Sequence, residues 1–369
     1  MNFEFSDEAI AVRDMVRKML TEEDAIGRTR DVALTNGTHD RKLWELMGEL
    51  GLLGAAIPES LGGSGMGAET CCMIAQEIGR ACASVPYQTS AIMAVQALLL
   101  FGTEEQKAKF LPGLSSGELV LTVAHAEGAG NPDRMNIAAQ VVDGRLTGTK
   151  WPVAEAEYAK SAIVLARDGD DVNFFLADLS APGVGRSRLK SLDPAKNMMR
   201  VSFTDVRVQP LQADPESLAK FYDIAAIFTA FEQIGCAEAS LSMAIDYAKN
   251  RYAFGRAIGS FQALKQKLAD CYIALELARS NAYSATWTLE NRDGRELTAA
   301  AAAARVSASH AADICSKENI QVHGGIGVTW ESQCHFYLRR AQMLNLALGA
   351  PTFWLDRLSG AILHTDHRG

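Results

Sequence analysis

Two short segments combine residue types suited to holding a flat, phosphate-bearing molecule. The first is Arg251-Tyr-Ala-Phe-Gly255 with Phe261-Gln262, at the end of the periodic stretch ASLSMAIDYAKN. Arg251 offers a planar donor to a pyrophosphate, Phe254 offers a ring, and Gln262 offers an amide. The same residues also read as a helix stop, with Lys249 and Arg251 facing the C-terminal dipole and Gly255 in a left-handed cap. The second segment is Gln321-Val322-His323-Gly324-Gly325-Ile326-Gly327 with Thr329. Its glycines allow close backbone approach to a phosphate or ribose, and Gln321 donates or accepts. Its plain reading is a glycine-rich turn between helices. A helical pattern precedes it, so the GxGxxG-after-strand fingerprint of a nicotinamide site is a poor match.

Other chemistry-bearing residues are sparser. His125, His323 and His335 have no partner at metal-ligand spacing and read as structural histidines. Seven cysteines stand at 71, 72, 82, 236, 271, 315 and 334. The number is odd and no CxxC occurs, so neither a disulfide framework nor a zinc site is expected, and no metal is. Most of these cysteines sit in apolar helix-like stretches, where Cys acts as a small hydrophobe. A reducing, cytoplasmic setting fits. Met198-Met199 reads as packing and Glu22-Glu23-Asp24 as a solvated helix end.

The elements that must carry these residues change texture twice. Residues 1–118 read as helices. Ser6 caps a helix with Ile10, Val12, Val16 and Leu20 on one face, and Thr103 caps another. A glycine-rich loop falls at 58–67. Residues 119–212 carry short alternating or β-branched runs such as SAIVLAR and NFFLADL between DG, GD and PG turns, which suggests a small antiparallel barrel or sandwich. From 213 to 369 the pattern is helical again, with Ala299 to Ala304 marking closely packed helices. The chain has 369 residues, 48% of them hydrophobic, and a net charge of −8. That composition is globular, and its acidity argues against nucleic acid or an anionic membrane as the main partner. The N-terminal residues lack the basic-then-apolar order of a signal peptide. The apolar runs fall short of about 18 residues, so no membrane span is expected.

Together these pieces resemble the acyl-CoA dehydrogenase family over nearly the whole chain. LWELMGELGLLGAAIPESLGGSG, EEQKAKFLPGLSSGEL, LTGTK, IDYAKNRYAFGRAIGSFQ and IQVHGGIGVTWE occur in the family's order. The resemblance implies a mainly α protein with a central β-domain: an N-terminal helical domain, a β-barrel or sandwich, and a C-terminal four-helix bundle. It implies FAD, an acyl-CoA substrate, a dimer of dimers and an electron-transfer acceptor. The implied reaction is α,β-desaturation, in which a carboxylate removes the α-proton and the β-hydrogen leaves as hydride to the flavin. By position, Arg251, Phe254 and Gln262 match the family's contacts to the pyrophosphate and adenosine of FAD. Gln321, Val322, His323, Gly324 and Gly325 match the segment closing over that FAD, reached across a dimer interface.

The chain departs from the pattern where the family keeps its reactive groups. The usual Glu of a YEGT-like segment falls on Leu348, and the base position of a minority of members falls on Ala225, with Ala226 in place of an Arg. Neither Leu nor Ala accepts a proton. A TEPxxGSD-like turn appears as Ala126-Glu-Gly-Ala-Gly-Asn-Pro-Asp133, without its hydroxyl. The flavin-facing strand appears as Pro152-Val153-Ala154, with its Trp at Trp151 or lost. This lopsidedness resembles the base-lacking chains of heteromeric acyl-CoA dehydrogenases, which act on bulky substrates such as sterol side chains. The alternatives are a self-sufficient enzyme with a relocated base, Glu232 being a better guess than Asp223, different flavin chemistry, and a scaffold without FAD.

Overall fold

The computed structural model describes residues 5–128 and 137–363. Positions 129–133 of the Ala126–Asp133 turn lie outside the described residues, as does Phe3. Helices come first: α1 (Asp7–Glu22), α2 (Ala25–Thr35), α3 (Arg41–Glu49), α4 (Gly67–Arg80), α5 (Val95–Phe101) and α6 (Glu104–Ser116). Their starts are set by local chemistry. Ser6 Oγ accepts from the amide of Ala9 at 3.3 Å, and Thr103 and Gln106 form a reciprocal capping box at α6.

Seven strands follow: β1 (Leu121–Ala124), β2 (Gln140–Val142), β3 (Arg145–Ala154), β4 (Ser161–Asp168), β5 (Asp171–Asp178), β6 (Val184–Arg188) and β7 (Met198–Pro210). Neighbours run β4-β2-β3-β7-β5, and β5 pairs back onto β4, which closes a barrel. The closure is not wholly antiparallel, because β1 and β2 both run parallel to β4. Alternate side chains, among them Leu146, Val164, Phe175 and Phe203, fill the interior.

The remainder is α7 (Pro215–Asn250), a hairpin of β8 (Tyr252–Ala253) and β9 (Arg256–Ala257), then α8 (Gln262–Asn291), α9 (Gly294–His323), α10 (Cys334–Leu346) and α11 (Pro351–Leu363). Ala301, Ala304, Ala308, Ala311 and Ala312 of α9 are wholly buried, and small side chains let neighbouring helices approach. By length and composition α7 could cross a membrane, contrary to the expectation from run length. Its most apolar window is 94% buried, as in the core helix of a folded protein. All seven cysteines are free and buried.

Contacts divide the chain into two compact units: Met1–Ile26, Cys72–Ala83 and Ala226–Gly369 in one, Gly27–Cys71 and Ser84–Ala225 in the other. The first unites α1 and the end of α4 with the bundle helices. Arg17 pairs with Glu77 at 2.7 Å, and Phe5 meets Tyr283 edge-on at 4.4 Å.

Candidate functional site

The two singled-out segments meet at one end of the bundle. α7 ends at Asn250, and the amide of Arg251 still donates to Tyr247 O at 2.8 Å. The chain then turns in a two-residue hairpin loop, Phe254-Gly255, with both residues left-handed at φ 52° and 79°. Gly255 therefore serves a hairpin turn of the primed type rather than a helix cap. Phe254 has no such licence: a bulky residue at positive φ is an outlier that the surroundings must hold. The loop presents its ring at 95% exposure, edge-on to Phe261 at 6.3 Å. Arg256 lies over Phe261 at 4.0 Å.

The second segment arrives at the end of α9. Val322 packs with Ala244 and Ala248 of α7, with Tyr247, Ile258, Leu264 and Leu268 around them. His323 shares a hydrogen bond with Asn319 O at 2.9 Å and leans on the Tyr247 ring at 4.1 Å. Gly324 is left-handed at φ 65°, whereas Gly325 is not. A Cβ at either would meet nothing within 4 Å, so both stand beside open space. Arg251, Gln262 and Gln321 are exposed, and among the described residues their side chains make no hydrogen bond to the protein. Uncommitted donors, an outward ring and open space over glycine suit a pyrophosphate-bearing cofactor. Sequence reasoning missed Tyr247 and Arg256. Tyr247 was findable, lying one turn before Arg251 on the same helix face.

The positions where a base was sought are built differently. Leu348 is 4% exposed and left-handed at φ 61°. The loop before it is held by Arg305, a wholly buried cation. Arg305 donates to Ala347 O at 2.9 Å, to Leu344 O, to Gln233 Oε1 and to Ser309 Oγ at 2.7 Å. Gln233 donates in turn to Asn345 Oδ1 at 2.7 Å. Burial lowers the pKa of Arg305 to about 9, with Glu232 opposing.

Glu232 itself is 3% exposed and accepts from Arg340 at 3.2 Å. Arg340 also donates to Ala83 O at 3.2 Å. Glu232 is thus one half of a buried ion pair between α7 and α10, not an available base. Ala225 is buried, and its carbonyl accepts from Gln88 at 3.1 Å.

In the barrel unit, Ala126 O accepts from Trp151 N at 2.9 Å and Gly128 N donates to Trp151 O at 2.7 Å, which lays the turn along β3. Arg200 covers the Trp151 ring at 4.6 Å. Glu127 anchors the turn by accepting from Lys150 at 2.6 Å and from the amides of Ala138 and Ala139 at 2.7 and 3.0 Å. Burial raises the Glu127 pKa, but Lys150 and the two amides outweigh it and the net shift is downward. Lys150 is also shifted down, because it is more deeply buried than its partner and burial wins there. Thr122 donates to Ala154 O at 2.5 Å. His125 lies beside Tyr222, with its Nδ1 buried and unpartnered; burial, then Lys150, lowers its pKa to about 4. His335 packs between Trp330 and Phe336. Among the described residues no three His, Cys, Asp or Glu side chains converge as a metal site.

Comparison with known proteins agrees with this layout. The acyl-CoA dehydrogenase N-terminal domain matches residues 6–118, and the acyl-CoA dehydrogenase C-terminal domain matches 219–358. The probable acyl-CoA dehydrogenase YngJ of Bacillus subtilis is 31% identical over 369 aligned residues, covering 95% of this chain and 96% of that protein. A variant of the Tcur3481-Tcur3483 steroid ACAD superposes with a TM-score of 0.90 at 30% identity, covering 97% and 98% of the two chains. The ChsE4-ChsE5 complex from Mycobacterium tuberculosis gives a TM-score of 0.89 at 27% identity, covering 98% and 99%.

Proposed function

This chain belongs to the acyl-CoA dehydrogenase family of FAD-dependent oxidoreductases, and from that premise we propose that it is the base-lacking chain of a heteromeric acyl-CoA dehydrogenase. The observation that carries the proposal is Leu348, a buried hydrocarbon where the resemblance puts the carboxylate. Ala225, at the other base position, is also buried and apolar, and Glu232 is committed to Arg340. A homologous partner would supply the missing proton acceptor. Two structural neighbours, each named for a pair of proteins, support a two-chain assembly.

In this reading Arg251, Gln262 and Gln321 bind the pyrophosphate and adenosine portion of FAD, and Phe254 covers it. Gly324 and Gly325 let backbone approach the same group. Because these groups stand at an outer corner of the bundle, they suit a cofactor shared with a partner subunit. FAD, when bound, supplies the hydride acceptor for α,β-desaturation of an acyl-CoA thioester. An electron-transfer acceptor then reoxidises the assembly. A bulky acyl group such as a sterol side chain is the substrate class we favour, on the likeness to the steroid ACAD. The seven buried free thiols suit a reducing cytoplasm.

The test is purification of the tagged chain from its own host, followed by anaerobic mixing with acyl-CoAs. A homologous chain with Glu at the YEGT-like position should co-purify with bound flavin. The isolated chain should bleach flavin about 10²–10⁴-fold more slowly than the pair, the usual worth of a positioned base. Full desaturase activity of this chain alone would sink the proposal.

A further inference from the structure

The ion pair of Glu127 and Lys150 lies between the two places where the resemblance sets the flavin ring, the Ala126 turn and β3. Where the family keeps a hydroxyl on each, this chain carries Ala126 and Ala154. At those two positions the polar groups left to meet a ring are backbone amides and carbonyls. Their placement depends on whatever fixes the turn to the strand.

One carboxylate fixes them. Glu127 Oε1 accepts from Lys150 Nζ at 2.6 Å and from the amide of Ala139 at 3.0 Å, and Oε2 accepts from the amide of Ala138 at 2.7 Å. Three pieces of chain are tied together in this way: the turn at 126–128, the lead into β2 at 138–139, and β3. Glu127 also forms an isolated parallel bridge with Trp151, the residue after Lys150, through the backbone bonds of Ala126 and Gly128. The Glu127 side chain is 12% exposed and that of Lys150 not at all. A buried ion pair is weak ground for stability, since hydrocarbon of similar volume is often as stable. Nor does β3 depend on it, because β2 and β7 already pair with that strand. The effect of the clasp is geometric: it sets the register of the turn against the strand.

We propose that Glu127 and Lys150 are positioning residues for the isoalloxazine end of FAD: their clasp sets the backbone of the Ala126 turn and of β3, and that backbone serves in place of the two hydroxyls. The assignment rests on the family's FAD dependence and not on the missing base, so it stands whether or not a partner chain completes the site. Glu127 accepts at both oxygens, whereas an amide has one acceptor oxygen, so Glu127→Gln surrenders at least one tie. Lys150→Met removes the cation, and Lys150→Arg keeps the pair. Arg251, Gln262 and Gln321 belong to the other compact unit, so the adenosine end of the cofactor can be probed separately.

The test is titration of the full chain, in the assembly in which it purifies and after flavin removal, with FAD and separately with ADP, which lacks the ring. Lys150→Met and Glu127→Gln should each weaken FAD roughly fivefold or more, the worth of about one hydrogen bond, and leave ADP binding unchanged. Both should shift the visible band of the bound flavin and its midpoint potential, and Lys150→Arg should restore them. Equal weakening of FAD and ADP, or a wild-type spectrum and potential in both variants, would make the pair merely structural and overturn the proposal. So would failure of both variants to fold. None of these readouts measures proton abstraction, so the base-lacking reading stands or falls separately.

Discussion

At the corner between α7 and α8, Arg251, Phe254, Gln262 and Gln321 turn outward and make little of their own fold. At Leu348 and Ala225 the side chains turn inward and are packed. The contrast separates two demands on such a chain. Exposed donors around an outward ring keep the means of gripping a ligand, and they contribute almost nothing to folding. A buried Leu at the base position adds to the core and gives up proton transfer. Binding and chemistry can therefore be lost independently, because different residues under different packing constraints carry them.

The sharpest way to break this comparison is through Glu232, the one carboxylate on α7 that sequence spacing favoured as a relocated base. Its partner Arg340 is wholly buried. Removing one partner of such a pair leaves an uncompensated buried charge, at about 3–5 kcal/mol. Glu232→Gln should cost that much in urea denaturation, while flavin bleaching per folded molecule stays unchanged. A stable variant that lost only activity would restore Glu232 as the base.

The next effect belongs to the barrel unit. The folded pKa of His125 is lowered to about 4, below its unfolded value, so the unfolded chain takes up a proton that the folded chain refuses. His39 is shifted to about 4 by burial, in the same direction. Stability from these neutral imidazoles is complete above about pH 6.5 and is lost as the pH falls toward 4. The slope approaches about 1.4 kcal/mol per pH unit for each imidazole. Denaturation midpoints followed by circular dichroism across this pH range should show this slope, and His125→Phe should remove half of it.

Much of this architecture was legible because it rests on local chemistry. Ser6 and Thr103 announce their helices, and alternation in SAIVLAR and NFFLADL announces β4 and β5. The rest is set by partners distant in sequence. α2 was missed because Gly27, Thr29 and Thr35 weaken its pattern, and β6 because Val184–Arg188 lacks apolar alternation. The parallel pairing of β1 with β4 depends on which edge is free, not on either strand's composition. The Glu232–Arg340 pair spans 108 residues and cannot be read from helix spacing. The cofactor-end residues were legible as a constellation, but the left-handed backbone at Phe254 was not, since only Gly255 advertises that turn.

Arg251→Ala tests the outward half of the comparison. A hydrogen bond to a charged group is worth about 1.5–3 kcal/mol, so FAD should bind roughly 10- to 150-fold more weakly. Folding stability should move by less than about 0.5 kcal/mol, because Arg251 is exposed. Equilibrium dialysis against FAD beside a denaturation curve checks both. A variant that lost stability and kept its flavin would reverse the assignment.

The smallest effect is the most diagnostic. Phe254 is held at φ 52° with its ring outside the protein, a conformation that glycine adopts without strain. If the ring were there for the fold, Phe254→Gly would destabilise the chain. If it is held out for a ligand, the substitution relieves strain and should stabilise the flavin-free chain by about 0.5–1 kcal/mol. The same change should loosen FAD, since the ring that covers it is gone. Opposite signs in the two measurements, a higher melting temperature without FAD and a faster loss of flavin on gel filtration, would mark Phe254 as built for binding at the expense of its own loop. Equal signs would return it to the structural half of the molecule.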